Sequence, residues 1–283
     1  MIKRKIILAI SLVSLLEAQN LKTTVSETLS TNPIVQERLK NYNATKEDVA
    51  IANADYYPKV DLSLGFGKEK GTTAQDVDFD FSVYQNSLSA TLNVFKGFET
   101  QSRVTQQKNR SASAAYSYVE KVNDTTYKVV NAYLQVMKNV ELLKNQQDNI
   151  NINTEIFTKV QKLYNAGLTT LSEVNKIESS LSLAKSNFVV QENTLLDSQY
   201  NLQKLIGKKL DPMELDKPTF IASLPSSLEE ATLAAMQNNP SLLVSKHNIK
   251  TAQASYQEKK SPFYPSVDLE ISQAMNKNLS GIE

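Results

Sequence analysis

The sequence predicts a mainly α-helical protein: a long antiparallel coiled-coil hairpin joined to β-strands, in a twofold internal repeat whose second copy is incomplete. Two observations support this prediction. Apolar residues recur at every seventh position from Val122 to Tyr164, which is the spacing of a coiled-coil seam. A helix, an aromatic-aromatic-proline junction and an alternating strand occur twice, 207 residues apart.

The hairpin is predicted from two seams and the break between them. The first seam ends at residues 165–170, where Asn165 and Gly167 tolerate the positive φ of a turn. A second heptad series then runs from Val174 to Leu202. We therefore predict a long helix over 99–165 and a helix of about half that length over 171–206, packed antiparallel. Apolar residues off the seams, such as Tyr133 and Leu196, indicate further contacts in a larger wall or oligomer.

The region before the hairpin predicts one helix and two strands. A helical pattern over 25–55 supplies the helix that should cover the rest of the long one. Alternating apolar and small or polar residues predict strands over 59–68 and 86–95, with a bulge or bend near Gln85-Asn86 where the alternation changes phase. The apolar side of this β-hairpin would meet a core in a soluble sheet and lipid in a membrane barrel, and the alternation fits both.

The repeat sets the predicted domain organisation. Asn239-Pro240 follows Asn32-Pro33 by 207 residues, and Tyr264–Leu269 follows Tyr57–Leu62 at the same distance. We predict a first repeat over 19–206, a linker over 207–226 and an incomplete second repeat over 227–283, with helices in 227–260 and a strand over 266–274. Because a whole unit should contain two strands and the hairpin, we expect this chain to be a fragment or a truncated gene product.

The N-terminus predicts export. Lys3, Arg4 and Lys5 precede an apolar run from Ile6 to Leu16, which is too short to span a bilayer as a helix but fits a secretory signal. We predict a signal peptide over 1–18, and a buried N-terminal helix is the alternative reading.

Composition excludes several classes of function. The charge is balanced, with 31 basic and 30 acidic residues, and no basic stripe is interleaved with aromatics, so nucleic acid is not an expected partner. The absence of cysteine excludes disulfides, thiolate metal sites, thiol nucleophiles and an N-terminal lipid anchor. No phosphate loop, nucleophile elbow or His-carboxylate cluster is present, so we expect neither an enzyme nor a bound cofactor or metal.

Several short motifs occur along the chain: Ser227–Ala231 leading to Asn239-Pro240, the two Tyr-Pro-x-Val-Asp-Leu strand entries, Phe95-Lys96-Gly97, Ala166-Gly167-Leu168 and Leu202–Gly207. Their order and spacing resemble the TolC-like family of outer-membrane efflux and type I secretion channels. The resemblance implies a homotrimer that forms a β-barrel in the outer membrane and an α-barrel extending into the periplasm. It also implies passive export together with a periplasmic adaptor protein and an inner-membrane transporter.

The resemblance also assigns candidate site residues. The hairpin tip, Ala166, Gly167, Leu168 and Thr169, corresponds to the family's adaptor-docking turn, although Gly167 is equally explained by the turn alone. Ser172 and Glu173 fall at the position of a latch between tips, and an ordinary first-turn Glu is the alternative.

Further candidates lie near the strands. Tyr56, Tyr57, Phe263 and Tyr264 are candidate membrane-interface aromatics, or packing residues at the strand junctions. Asp76, Asp78 and Asp80 suggest a cation site or, more simply, a solvated loop. His247 is predicted to be structural.

A second function from a different class also fits the hairpin: a soluble periplasmic coiled-coil adaptor or scaffold. Such a protein should carry Gly-rich β domains beside the hairpin instead of the repeated helix and strand. Recovery of the chain in the soluble periplasmic fraction would favour it. The exported cargo, whether drug, metal or protein, is not set by these patterns.

Overall fold

The structure, a computed structural model, describes residues 20–72, 78–219 and 224–278. The predicted signal peptide at 1–18 lies outside the described residues. The helices are α1 Leu21–Thr31, α2 Pro33–Ala54, α3 Glu99–Asn165, α4 Leu171–Ile206, α5 Leu228–Asn238 and α6 Pro240–Lys259. The strands are β1 Lys59–Thr72, β2 Asp78–Lys96 and β3 Ser266–Asn278, and short 3-10 turns occupy Pro212–Glu214 and Ser261–Phe263.

The chain divides into two compact units. The first contains the residues up to Gln36 together with Lys121–Leu224, and so holds α1, the later part of α3, and α4. The second contains Glu37–Glu120 and Pro225–Glu283, and so holds most of α2, all three strands, the start of α3, and α5 and α6.

The core of the first unit lies where α3 and α4 meet the segment after α4. It contains side chains from α3 and α4 together with Leu210 of that segment, and Leu21 and Val25 of α1 pack against it. The bounds of α3 and α4 are those that the heptads predict. The core residues are Val129, Ala132, Tyr133, Val136, Leu202, Ile206 and Leu210.

Tyr133, which lies off the heptad seam and was predicted to make a further contact, is part of this core and is fully buried within its own chain. Its hydroxyl donates a hydrogen bond to the backbone oxygen of Asp216, at 2.9 Å. Burial is the main reason why the pKa of Tyr133 is raised, and the charge of Asp216 adds to it. The segment after α4 covers a face of α3 that heptad spacing alone leaves open.

A polar pair interrupts the apolar seam of the hairpin. Asn139 of α3 is only 7% exposed, and the side-chain nitrogen of Gln191 in α4 lies 3.3 Å from its Oδ1 and 3.4 Å from its backbone oxygen. Such pairs in coiled coils favour one register at a cost in stability.

Removing one member of this pair is expected to destabilise the hairpin more than removing both. Gln191→Leu leaves the buried amide of Asn139 without its partner, which costs about 1–3 kcal/mol of unfolding free energy. The double change Asn139→Leu with Gln191→Leu should recover that loss, because two apolar side chains then face each other. Urea denaturation of the three proteins measures the effect, and a double variant less stable than Gln191→Leu would contradict it.

The predicted single helix over 25–55 is two helices, α1 and α2, which break at Asn32. Pro33 has no backbone N–H and keeps the residue before it out of the helical conformation. Asn32 accordingly has φ −66° and ψ 120°, its N–H donates to the Thr28 oxygen at 2.8 Å, and its side chain accepts from the Ile34 nitrogen at 3.0 Å. It therefore ends one helix and caps the next.

The second repeat is built in the same way. Asn239 caps α6 by accepting from the Ser241 nitrogen at 2.9 Å, just before Pro240. The helices α1 and α5 each have 11 residues. Their N-caps, Asn20 and Ser227, are 207 residues apart, which is also the predicted spacing of the two copies.

The three strands form one antiparallel sheet in the order β1-β2-β3. Each strand is longer than predicted, since 59–68, 86–95 and 266–274 become Lys59–Thr72, Asp78–Lys96 and Ser266–Asn278. Backbone pairing continues past the residues whose side chains alternate clearly, which is why the pattern underestimated the lengths.

The predicted bulge at Gln85-Asn86 was wrong. Pairing of β1 with β2 runs without a shift from Lys59 opposite Thr91 to Thr72 opposite Asp78. The one irregularity in the described ladders lies between Asn93 and Phe95, where β2 pairs with β3. The change of phase in the sequence therefore means that apolar residues at the loop end of β2 lie on the other face of a regular strand.

Candidate functional site

One face of the sheet carries apolar side chains on all three strands, and most of these side chains are exposed. The register places Leu62 opposite Leu88 and Leu92 opposite Leu269, so their side chains share this face. Leu64 is 71% exposed and Ile271 is 68% exposed. Asn86 and Gln273 interrupt this face, and Lys68, Ser82 and Lys277 make the same face polar towards the loop end of the strands. The apolar face consists of Val60, Leu62, Leu64, Phe66, Tyr84, Leu88, Ala90, Leu92, Val267, Leu269, Ile271 and Met275.

Over the part of the sheet near the helices, the opposite face is polar or small, whereas Phe81 and Val83 lie on it at the loop end of β2. Ser63 pairs with Ser87, and Asp61 pairs with Ser89, which in turn pairs with Ser272. Asn93 donates a hydrogen bond to Asp268 across β2 and β3 on this side. The sheet therefore separates an apolar surface from a polar one, and most of the large apolar residues on that surface are exposed in the described part of the chain, with Ala90 and Leu92 half-buried.

The four candidate interface aromatics all lie where a helix gives way to a strand, and all are exposed. Tyr56 and Tyr57 precede β1 with 51% and 71% of their surface exposed, and Phe263 and Tyr264 precede β3 with 87% and 50%. Tyr264 contacts Phe98 edge to face, with ring centroids 5.7 Å apart. Within the described residues, no ring contact joins Tyr56, Tyr57 or Phe263 to this pair.

Sequence reasoning missed Phe98, which is central to the junction. Its ring also meets Phe95 edge to face at 5.1 Å, so the contacts run from Phe95 through Phe98 to Tyr264. Phe98 has φ +66° and follows Gly97, which has φ +56°. A positive φ is costly for a residue with a side chain, so packing must hold Phe98 in place. The signal available in the sequence was an aromatic residue directly after the Gly97 break.

The hairpin tip is a tight helix end made by Gly167. Gly167 has φ +74°, its N–H donates to the Tyr164 oxygen at 2.9 Å, and the N–H of Leu168 donates to the Leu163 oxygen at 2.8 Å. These two hydrogen bonds define a Schellman motif, which satisfies carbonyl groups at the end of α3. A Cβ atom added to Gly167 would meet nothing within 4 Å, so the turn itself requires glycine only for its φ.

The tip presents an apolar side chain beside polar groups. Leu168 is 74% exposed, Ala166 and Gly167 are exposed as well, and Thr169 is half-buried. Thr170 caps α4 by accepting from the Glu173 nitrogen at 3.4 Å. Ser172 and Glu173 are exposed in the first turn of α4, where the helix dipole favours an acidic side chain. The docking candidates thus lie in the hairpin turn, and the latch candidates lie in the first helical turn after it.

The described residues contain neither a membrane-spanning helix nor a cluster of metal ligands. No helix in the described ranges is long and apolar enough to cross a membrane. No group of three His, Cys, Asp or Glu side chains in those ranges could hold a metal ion. Of the three aspartates considered for a cation, Asp76 lies outside the described residues, and Asp80 forms an ion pair with Lys70 at 2.9 Å.

His247 lies in α6 and packs against α3 in the second unit. Its Nδ1 lies 3.0 Å from Asn109 Oδ1, and its ring stacks on Tyr116 with centroids 5.6 Å apart. Because the Asn109 amide nitrogen donates to the Thr105 oxygen, its Oδ1 is the group that faces the histidine, and Nδ1 is therefore the donor. Burial first, and then Lys250 and Lys246, lower the pKa of His247.

The lowered pKa predicts a small loss of stability in mild acid. The unfolded chain binds a proton at His247 near pH 6.5, whereas the folded chain resists it to a lower pH. The contribution of His247 is therefore fully present above about pH 6.5 and falls as the pH drops towards the folded pKa. NMR titration of this histidine measures the folded pKa directly. A value above that of a short peptide would contradict the prediction, and His247→Gln should flatten the pH dependence.

Long paired helices, joined to a sheet that is apolar on one face and polar on the other, define the fold of the TolC-like outer-membrane channels. Residues 24–208 match the model of the family described as "Outer membrane efflux protein". The chain therefore belongs to the outer membrane efflux protein family.

Individual relatives agree with this assignment. Protein CyaE of Bordetella pertussis is 23% identical over 258 residues, which cover 87% of this chain and 52% of CyaE. The structure of CusC, solved in a study of transmembrane channel formation, has a TM-score of 0.75 at 13% identity and covers 93% of this chain. The outer membrane protein VceC from Vibrio cholerae has a TM-score of 0.74 at 12% identity, with 93% of this chain covered.

The matches cover only part of these proteins. The chain spans about half of CyaE, 66% of the CusC chain and 68% of the VceC chain. The family and the fold are those of passive outer-membrane channels, not of enzymes.

Proposed function

We propose that this chain serves as the outer-membrane channel component of a tripartite efflux pump or a type I secretion system, through which substrate passes without catalysis. The observation that carries the proposal is the sheet: in its part near the helices, one face carries exposed apolar residues on all three strands and the other face is polar. Strands of 14, 19 and 13 residues are long enough to cross a bilayer, which needs about 9–11 tilted residues.

We propose a homotrimer, as the resemblance to the TolC-like channels implies, and the open edges of this sheet support closure by further copies of the chain. In the described chain β2 has a neighbour on each side, whereas β1 and β3 each have one. Open edges are not stable in lipid, because backbone groups there lack hydrogen-bond partners. Three copies that share one closed barrel would pair these edges and place the apolar face against lipid and the polar face towards the conduit.

The proposed location is the outer membrane, with the helices extending into the periplasm. Tyr56, Tyr57, Phe263 and Tyr264 would lie at the lipid–water interface, where aromatic rings with one polar edge are favoured. Their exposure and their position at the ends of strands support this placement. Outer-membrane lipid is accordingly a proposed partner of the apolar face.

Cell fractionation separates this proposal from the soluble scaffold. Membranes isolated from cells that express the chain are washed with 6 M urea, which strips peripheral proteins, and are then extracted with mild detergent. We expect the chain to stay in the outer-membrane pellet after urea and to enter the detergent extract as a trimer. Recovery in the soluble periplasm would support the scaffold and contradict the channel.

The hairpin tip is the proposed docking point for the periplasmic adaptor, which would link the channel to the inner-membrane transporter. Leu168 offers an exposed apolar contact, and nothing within 4 Å fills the space beside Gly167. Ser172 and Glu173, exposed on the adjoining turn, are proposed to latch neighbouring tips.

A photo-crosslinking amino acid placed at Leu168 tests the docking proposal. We expect it to capture the adaptor encoded beside this gene, and the same probe at Leu183, which is 62% exposed on α4, is the matched control. Equal capture from both positions, or capture from Leu183 alone, would contradict docking at the tip.

The latch is tested separately by the substitution Glu173→Gln. This substitution should raise the conductance of the channel if the latch closes the tip.

A further inference from the structure

One arginine near the sheet holds three carboxylates. In the second unit, Arg103 Nη1 lies 2.7 Å from Asp55 Oδ2, and its Nη2 lies 2.7 Å from Glu99 Oε1. Its Nε lies 3.3 Å from Glu258 Oε1. Glu99 and Glu258 are each only 19% exposed at the side chain, so these are partly buried contacts.

The three carboxylates belong to the three places where helices and strands meet. Asp55 follows the last residue of α2, four residues before β1 begins at Lys59. Glu99 opens α3, three residues after β2 ends at Lys96. Glu258 lies in the last turn of α6, ahead of β3. A single guanidinium group therefore joins all three junctions.

We propose that Arg103 is the positioning residue that fixes the direction in which the three strands leave the helices, and that it thereby prepares the sheet to insert into a membrane. Insertion rests on the proposed function, whereas fixing of the junctions does not. Arg103 contacts no cargo. It acts only through the helices and strands at whose ends its three partners lie.

The chemistry of the site calls for arginine. A guanidinium group is planar and directs its N–H groups in fixed, separate directions, so three carboxylates can each receive one. Lysine would keep the charge but would present one compact ammonium group, which cannot reach three partners arranged in this way. An isolated surface ion pair contributes little. Arg103 differs because its partners come from three separate elements.

The neighbouring junction leaves little room for adjustment. A Cβ atom on Gly97 would lie 2.4 Å from the backbone oxygen of Ser261, so the start of α3 and the end of α6 approach closely beside the cluster. Phe98 is held at a positive φ by the ring of Phe95 in β2 and the ring of Tyr264 just before β3. A small movement of one helix–strand junction would therefore move the other two junctions as well.

Amide hydrogen exchange of the full chain in detergent tests the positioning role. Arg103→Lys is compared with Arg110→Lys, because Arg110 lies two turns further along α3, is exposed and forms no ion pair in the described residues. We expect exchange around residues 97–99 and 261–264 to quicken by about tenfold in Arg103→Lys and to be unchanged in Arg110→Lys. Equal exchange in the two variants would overturn the proposal.

A second variant keeps the test decisive if Arg103→Lys disturbs folding. Glu258→Gln removes one partner only, and faster exchange is expected at 261–264 but not at 97–99. Unchanged exchange at 261–264 would overturn the proposal.

Membrane insertion is tested separately. Urea washing of outer membranes should release the Arg103→Lys variant but not the Arg110→Lys variant, and equal retention of the two would overturn the proposed role in insertion. If the wild-type chain itself is released, the channel proposal fails, while the exchange data still decide the role of Arg103.

Discussion

Replacing Gly97 by alanine is expected to destabilise the second unit by about 2–4 kcal/mol. Two effects add at this position. The φ of +56° is unfavourable for alanine, and the new Cβ would lie 2.4 Å from the Ser261 oxygen and 2.9 Å from the Tyr264 Cβ. The backbone would have to move to relieve the contact, and the ring contacts of Phe98 would be lost with it. Chemical denaturation followed by circular dichroism measures the change.

Gly207 supplies the matched control for this prediction. It also has a positive φ, of +77°, but a Cβ atom there would meet nothing within 4 Å. Gly207→Ala should therefore show the cost of the backbone conformation alone, about 1–2 kcal/mol. If Gly97→Ala proved no more harmful than Gly207→Ala, the close approach of the β2–α3 junction to Ser261 would be wrong.

Truncating Tyr133 to alanine is expected to cost about 3–5 kcal/mol, the largest effect of a single change in the first unit. The ring is fully buried among Val129, Val136 and Leu202, so its loss leaves a cavity that the helices cannot close. Tyr133→Phe keeps the ring and removes the hydrogen bond to the Asp216 oxygen, which should cost about 1–2 kcal/mol. Urea denaturation of both variants separates packing from hydrogen bonding.

Tyr127 is the control for Tyr133 because it lies in the same helix but is 69% exposed. Tyr127→Ala should change the stability of the isolated chain by no more than about 0.5 kcal/mol. A Tyr133→Ala variant as stable as Tyr127→Ala would show that the segment after α4 does not cover α3 as described.

The hairpin and the repeat could be predicted from the sequence because both leave regular traces in it. Seven-residue spacing depends only on the helix itself and on one packing partner, and it gave the bounds of α3 and α4. The 207-residue spacing required only that two segments be similar. The family followed from the motifs at these elements, and the match over residues 24–208 confirmed it.

The features that could not be predicted from the sequence depend on contacts between residues that are far apart in it. Arg103 and Glu258 are 155 positions apart, and no local pattern links them. Heptad spacing indicates that Tyr133 makes a contact off the seam, but it does not identify the partner as the part of the chain that returns at Asp216. The bulge was misplaced for a related reason: strand pairing sets the ladder, and side-chain alternation records only which face is apolar.

The central claim is that the apolar face of the sheet meets lipid while its polar face meets water. Because the chain contains no cysteine, single cysteines can be introduced without background. Leu62→Cys and Leu269→Cys, labelled with a fluorophore, should be quenched by brominated lipids, whereas Ser63→Cys and Asp268→Cys should react with a membrane-impermeant maleimide. Equal reaction of all four positions with the maleimide, and no quenching by lipid, would contradict the claim.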